Sequence, residues 1–361
     1  MHDFQPDYYL DTIIRRIQIR HIPYVVDWEL TYKCNLKCTH CYVVPDCAGR
    51  ELSLEECKRI LDQLAAEGCL FLLFTGGEIL LRSDFFDIAL YARKKGFALT
   101  LFTNGTLITP NVADRIKDLC PLSVGISIYG STTVTHEAIT QVPGSFDKSI
   151  GAIKLLRKRG IRTRFKSPLM RNTISEYDQM RTLAKELDAE FKCDTIIIPK
   201  QDGSKTPLAH QLTDDEVRDI FMKGPLEVPH KKRRDDVPLC GAGVTALSIN
   251  PYGEVSGCIR LNNFNIVAGD LRCETLSDIW RGSRVFSKLR SATFLNLDKC
   301  ADCDIAFYCT YCPALALMDG VDFPGPSTVL CRQARIMKEV VEKKGIIGEQ
   351  SVMTPHCEEI W

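Results

Sequence analysis

Between residues 24 and 222, short runs of apolar, β-branched and aromatic residues alternate with longer stretches whose apolar positions recur every three or four residues. The short runs predict six strands: YVVDWELTY (24–32), LFLLFTG (70–76), FALTLFTNG (97–105), LSVGISIYG (122–130), IRTRFKS (161–167) and FKCDTIII (191–198). The longer stretches predict helices. SLEECKRILDQLAAEG opens on a capping box of Ser53 with Glu56 and stops at Gly68, and SFDKSIGAIKLLRKRG gathers its positive charges in the last turn before Gly160. Strands that are apolar nearly throughout, each followed by a helix, imply a parallel sheet with crossover helices, either a partial TIM-type barrel or an open doubly wound sheet. In both forms the loops at the C-terminal strand ends converge, and chemistry collects there.

The pattern changes near the basic run HKKRRDD (230–236), which lies between Pro229 and Pro238 and reads as a solvated linker. Beyond it come Cys240, Cys258, Cys273, Cys300, Cys303, Cys309, Cys312 and Cys331, a turn signal NPYG (250–253) between two short strand patterns, one helical pattern TLSDIWRGSRVFSKLRSA and a final one, CRQARIMKEVVEKKG. The chain thus divides into an N-terminal extension (1–23), an α/β region (24–228), a cysteine-rich α+β region (229–345) and a tail (346–361) containing His356 and Cys357.

Composition narrows the setting. Hydrophobic content of 45% and charged content of 25% in 361 residues describe an ordinary soluble protein, with no apolar run long enough to span a membrane. The first twenty residues lack the features of a secretory signal, so a cytoplasmic location is expected. There, seventeen cysteines are not a disulfide framework, and the odd number agrees; metal binding or catalysis is the better reading. Lys plus Arg equals Asp plus Glu at 46 each, so no global field draws the chain to nucleic acid.

TYKCNLKCTHCYV (31–43) sets Cys34, Cys38 and Cys41 directly after the first predicted strand. Buried structural cysteines are the bland alternative, and zinc normally wants four ligands in CxxC pairs. Three local thiolates suit a [4Fe–4S] cluster with one iron open to substrate or cofactor. The spacing CxxxCxxC resembles the hallmark of the radical S-adenosylmethionine (SAM) enzymes. That resemblance implies a partial (β/α)6 TIM-type barrel, and a cluster whose open iron takes the amino and carboxylate groups of SAM; an electron from the reduced cluster then releases a 5′-deoxyadenosyl radical. It also implies cofactor contacts at His40, which precedes the last cysteine; at Gly76, Gly77 and Glu78 of TGGE, where relatives usually read GGEP and this chain has GGEI; and at Asn104, Ser127 and Lys166 on the next three strands. The glycines suggest close approach of backbone to ligand. For Lys166 a solvated surface position is the alternative.

CGAGVTALSINPYGEVSGC, CADCDIAFYCTYC and Cys331 resemble the SPASM extension, a small cysteine-rich α+β domain that carries auxiliary clusters. CTYC has two intervening residues where relatives commonly have three. The family's crossed ligation implies Cys300, Cys303, Cys309 and Cys331 for a distal cluster and Cys240, Cys258 and Cys312 for a nearer one, three [4Fe–4S] clusters in all with that of the barrel. Zinc is the structural alternative. Ala246 stands where some relatives offer a further cysteine; the nearer cluster then keeps an open iron, unless Cys273 or Cys193 closes it. Of the remaining cysteines, Cys57, Cys69 and Cys120 read as small core residues, and Cys47, Cys193, Cys273 and Cys357 have no assigned role.

Relatives with this layout mostly modify ribosomally made peptides, with a thioether or other cross-link as product, while others mature sulfatases or alter tetrapyrrole side chains. Ile259 replaces the aspartate of the sulfatase branch. The barrel starts by residue 24, so leader recognition is expected from a separate protein or the barrel mouth. An electron donor such as flavodoxin or ferredoxin is implied. Tetrapyrrole modification is the enzymatic alternative, and an iron–sulfur electron carrier the non-catalytic one, which would have no use for a cofactor cleft. No catalytic acid or base is identifiable.

Overall fold

In a computed structural model the described residues are 6–44, 49–224, 238–297, 299–323 and 325–345. Nine strands form one sheet: β1 (Val25–Thr31), β2 (Phe71–Gly76), β3 (Ala98–Thr103), β4 (Ser123–Ser127), β5 (Thr163–Pro168), β6 (Glu190–Asp194), β7 (Ala246–Ile249), β8 (Glu254–Ser256) and β9 (Gly269–Asp270). Their spatial order is β6-β5-β4-β3-β2-β1-β7-β8-β9. All six predicted strands are present, paired in parallel in chain order, as right-handed βα units require.

Strand periodicity sorts the side chains into two faces. One face, with Trp28 on β1 and Phe74 on β2, packs under the helices: Trp28, Phe74 and Phe85 are fully buried, with neighbouring ring centroids 6.1 and 6.3 Å apart. Each such side chain contributes about 1.5–3 kcal/mol through burial. The other face lines the barrel and mixes polar with apolar side chains. Asp27, Leu73, Thr100 and Ser123 align across four strands, and Ser127, Lys166 and Lys192 align closer to the loops.

The capping box of Ser53 and Glu56 starts the helix Leu54–Ala66, and the predicted terminators Gly68 and Gly160 have φ of 87° and 74°, the left-handed region in which glycine is unstrained.

The C-terminal region is not a separate body. β7 pairs in parallel with β1, from Val25↔Ala246 to Trp28↔Ile249, so the barrel sheet continues into the predicted NPYG hairpin of β7 and β8. One buried cluster runs from Val26 through Phe286 to Val340. The linker 230–236, the boundary at 228/229, Cys47, His356 and Cys357 lie outside the described residues.

Two expectations change, and one element is new. The single helix predicted over 275–292 is two, Leu276–Gly282 and Arg284–Ser291, with Ser283 extended between them; Gly282 weakens the helix there, and the break lets Trp280 and Phe286 meet at 4.9 Å. The N-terminal extension contains a helix, Pro6–Ile19. Cys120 is exposed with φ of 46°, not a core residue; Pro121 follows it, so the preceding helix cannot run on. Cys57 and Cys69 are buried as expected.

Candidate active site

The loop after β1 carries Cys34, Cys38 and Cys41, and its backbone is pinned before any ligand is considered. Lys37 and Thr39 donate from backbone N–H to the carbonyls of Thr140 and Ile139 at 3.0 Å, and Leu36 N–H points at Cys34 Sγ at 3.4 Å. The three thiols are electrostatic neighbours of one another. Burial pushes all three upward, Cys41 to about 11, and each neighbouring thiolate adds to the cost. Three neighbouring half-buried thiols whose ionisation burial opposes fit a cluster whose iron ions would stabilise them as thiolates.

Gly76 and Gly77 bring the end of β2 against this loop. A Cβ on Gly76 would lie 2.3 Å from the Thr31 carbonyl oxygen, and one on Gly77 would lie 2.2 Å from that of Lys33. Both glycines are therefore required by contact with the cysteine loop's own backbone, a different reason from the close approach of ligand that the sequence suggests. Gly77 and Glu78 donate their N–H groups to those same carbonyls at 2.7 and 2.8 Å.

Glu78 is fully buried, and its carboxylate accepts from the Thr103 hydroxyl at 2.6 Å, Asn104 N–H at 2.8 Å and Leu80 N–H at 3.1 Å. It braces the ends of β2 and β3 together. Asn104 in turn donates from Nδ2 to Asn35 Oδ1 at 2.9 Å, facing Cys34 Sγ at 3.9 Å.

His40 lies edge-on to Tyr129, ring centroids 4.6 Å apart; burial brings His40 down to about 3, and its Nδ1 is buried with no hydrogen-bond partner. Tyr129 sits two residues beyond Ser127 and is an electrostatic neighbour of Cys38. Ser127 is the register partner of Lys166. Lys166 is on the barrel's inner face rather than the solvated surface, with Nζ 3.1 Å from the Phe102 ring centroid; burial brings it down to about 7, opposed by Asp27. The expected cofactor residues thus form two groups: Gly76, Gly77, Glu78 and Asn104 around the cysteine loop, and His40, Ser127 and Lys166 along the adjoining wall.

Glu29 has no forerunner in the sequence motifs. Fully buried on β1, it accepts from the Tyr42 hydroxyl at 2.8 Å, the Tyr32 hydroxyl at 3.1 Å and Asn262 Nδ2 at 3.2 Å. Tyr32 and Tyr42 flank the cysteine loop, and Asn262 belongs to the short helix Ile259–Asn263 that Cys258 caps. One carboxylate therefore ties both cysteine-bearing segments together. Its only signal in the sequence is an acid at an inward position of an apolar strand.

In the C-terminal region the thiols separate into the two expected sets. Cys240, Cys258 and Cys312 are mutual neighbours, and Cys309 has Cys300, Cys303 and Cys331 around it. Burial pushes Cys240 and Cys309 to about 12. Cys193 and Cys273 are exposed, and Cys193 neighbours Tyr177, a side chain of the buried layer under the helices. Among the described residues no three His, Cys, Asp or Glu side chains converge on a point that could hold one metal ion.

A cavity of about 780 Å³ opens beside Arg157, Arg162 and Glu190 at the N-terminal end of β6, opposite the cysteine loop. Arg157 pairs with Asp188 and Arg162 with Glu190 in its wall.

Residues 28–184 match the model of the radical SAM superfamily, and residues 240–304 match that of an iron–sulfur cluster-binding domain, SPASM. The chain is a radical SAM enzyme with a SPASM domain. This radical SAM/SPASM enzyme therefore binds a [4Fe–4S] cluster and SAM in its barrel and auxiliary iron–sulfur clusters in its SPASM domain. It is 27% identical over 331 residues to an AdoMet-dependent heme synthase of Methanosarcina barkeri, covering 83% of this chain and 94% of that protein. It is 28% identical over 328 residues to the mycofactocin maturase MftC of Mycobacterium tuberculosis, covering 84% and 82%. The fold matches Streptococcus suis SuiB bound to precursor peptide SuiA with a TM-score of 0.69 at 15% identity, over 91% of this chain and 82% of that one. Among the described residues, no helix is long and apolar enough to cross a membrane.

Proposed function

We propose that this enzyme removes a hydrogen atom from an unactivated C–H bond of a ribosomally made peptide and closes a thioether or other cross-link. When bound, the barrel cluster and SAM supply the 5′-deoxyadenosyl radical. Cys34, Cys38 and Cys41 hold that cluster, and His40, Gly76, Gly77, Glu78, Asn104, Ser127 and Lys166 shape the cofactor cleft, Gly76, Gly77 and Glu78 by fixing the loop rather than by reaching the ligand. Cys240, Cys258 and Cys312 hold the nearer auxiliary cluster, and Cys300, Cys303, Cys309 and Cys331 the distal one. An external one-electron donor such as flavodoxin or ferredoxin is required, and leader recognition falls to a separate protein or to the barrel mouth.

The observation that carries this reading is the joining of the Cys34 and Cys258 segments through Glu29, which fixes an auxiliary-cluster cysteine and the loop of the SAM-binding cluster to the same strand of the barrel. The resemblance to a mycofactocin maturase favours maturation of a peptide. The resemblance to a heme synthase favours a second reading, a tetrapyrrole side chain as substrate. Anaerobic turnover with the precursor peptide encoded nearest the gene, and separately with an iron porphyrin bearing propionates, distinguishes them. A peptide product lighter by two hydrogen atoms, formed together with 5′-deoxyadenosine, supports the first; a changed porphyrin and an unchanged peptide refute it.

A further inference from the structure

The helix Ile259–Asn263 follows Cys258 directly and is docked on the barrel by three of its five side chains. Arg260 donates to Asp194 Oδ2 at 2.6 Å, Asn262 to Glu29 at 3.2 Å, and Asn263 to the Pro199 carbonyl at 2.9 Å. Asp194 ends β6, and its other oxygen accepts from Ile196 N–H at 2.9 Å, so the partner of Arg260 is itself fixed. Two residues beyond Cys258, the Arg260 guanidinium is also an electrostatic neighbour of Cys312 and Cys258. One side chain therefore neighbours both the barrel rim and the thiol set of the nearer auxiliary cluster.

We infer that Arg260 is a positioning residue that sets the reduction potential of the auxiliary cluster held by Cys240, Cys258 and Cys312, and that Asp194 moderates it. The inference rests on the ligand assignment proposed above. One-electron reduction adds a negative charge that spreads over cluster and thiolate sulfurs, and the potential follows hydrogen bonds to those sulfurs, net charge and solvent exposure. A guanidinium is always charged, so it stabilises the reduced form at any working pH. With about a third of its side chain exposed, Arg260 is screened only in part, and the Asp194 carboxylate cancels some of its field. The geometry assigns the two side chains opposite signs of effect, and a merely structural contact has no reason to produce that.

The test is an anaerobic redox titration of the reconstituted full-length enzyme, following the reduced auxiliary cluster by electron paramagnetic resonance. In Arg260→Gln the midpoint moves to more negative potential, by about tenfold in the oxidised-to-reduced ratio at fixed potential, or about 59 mV for one electron. In Asp194→Asn it moves the other way, and Arg260→Lys falls between wild type and Arg260→Gln. Unchanged midpoints, or shifts of one sign in both the arginine and aspartate variants, overturn the inference. If Arg260→Gln fails to assemble, Asp194→Asn decides alone, and a midpoint that stays or falls there overturns it. Cys258→Ser separates the two levels: loss of the followed signal upholds the ligand assignment, and its persistence overturns that assignment and the inference with it.

Discussion

Glu29 allows a sharp test of how the two cysteine-bearing segments are held. Replacing it with Leu removes the acceptor of the Tyr42 and Tyr32 hydroxyls inside a fully buried site, while Asn262 keeps a contact to the Tyr32 oxygen at 3.1 Å. Two orphaned donors at about 1–3 kcal/mol each, less about 1.5–3 kcal/mol gained from a buried apolar side chain, leave a net loss of about 2 kcal/mol. Tyr42→Phe removes one hydrogen bond and costs about 1 kcal/mol. Glu29→Gln adds a pH signature. Burial pushes Glu29 from its ordinary 4.5 up to about 7, opposed by hydrogen bonds from Tyr42, Tyr32 and Asn262. Because the folded value lies above the unfolded one, the stability linked to this group is fully present below about pH 4.5 and is lost as pH rises through about 7. The shift sets a ceiling of about 3 kcal/mol. Glutamine, which never ionises, therefore gains on the wild type by up to about that much between roughly pH 5 and pH 8. Equilibrium urea unfolding of the three variants under anaerobic conditions measures all of this. A flat difference between wild type and Glu29→Gln across that pH range, or a Glu29→Leu no worse than Tyr42→Phe, would refute the network.

Gly77→Ala drives its Cβ into the backbone of Tyr32 and Lys33, which cannot rotate away, so iron at the barrel site and SAM cleavage are both lost; Gly96→Ala, with φ of 93° and no atom within 4 Å, keeps both at a cost of about 1–2 kcal/mol. Glu78→Ala leaves the Thr103 hydroxyl and the Asn104 and Leu80 amides without their acceptor and costs roughly 3–5 kcal/mol, read by urea unfolding. Replacing Cys34, Cys38 and Cys41 together with Ala abolishes 5′-deoxyadenosine formation while iron at the other two thiol sets remains, measured by iron and sulfide analysis. Stoichiometric zinc with little sulfide in the wild type would contradict the cluster assignment for all three sets.

The six barrel strands and the helix stops at Gly68 and Gly160 were legible in the sequence because they rest on local physics: two-residue and 3.6-residue periods, a capping box, and glycines free to adopt positive φ. The three thiol sets were legible too, through a family pattern of spacings, and burial and proximity agree with it. Local pattern could not show that β7 would dock on β1 and carry the barrel sheet into the SPASM domain, since Val25 and Ala246 lie far apart in the chain and their pairing is a matter of backbone hydrogen bonds. Nor could it show why Gly77 must be glycine, because the atom that excludes a Cβ belongs to Lys33 on another strand's loop. Glu29 and Arg260 were invisible as working residues for the same reason. An acid in an apolar strand and an arginine after a cysteine acquire their roles only when folding closes Tyr32, Tyr42 and Asn262 around one and sets Asp194 and Cys312 beside the other. Burying such groups costs several kcal/mol unless each finds its partner, so the partners, which tertiary packing alone supplies, decide what the residues do.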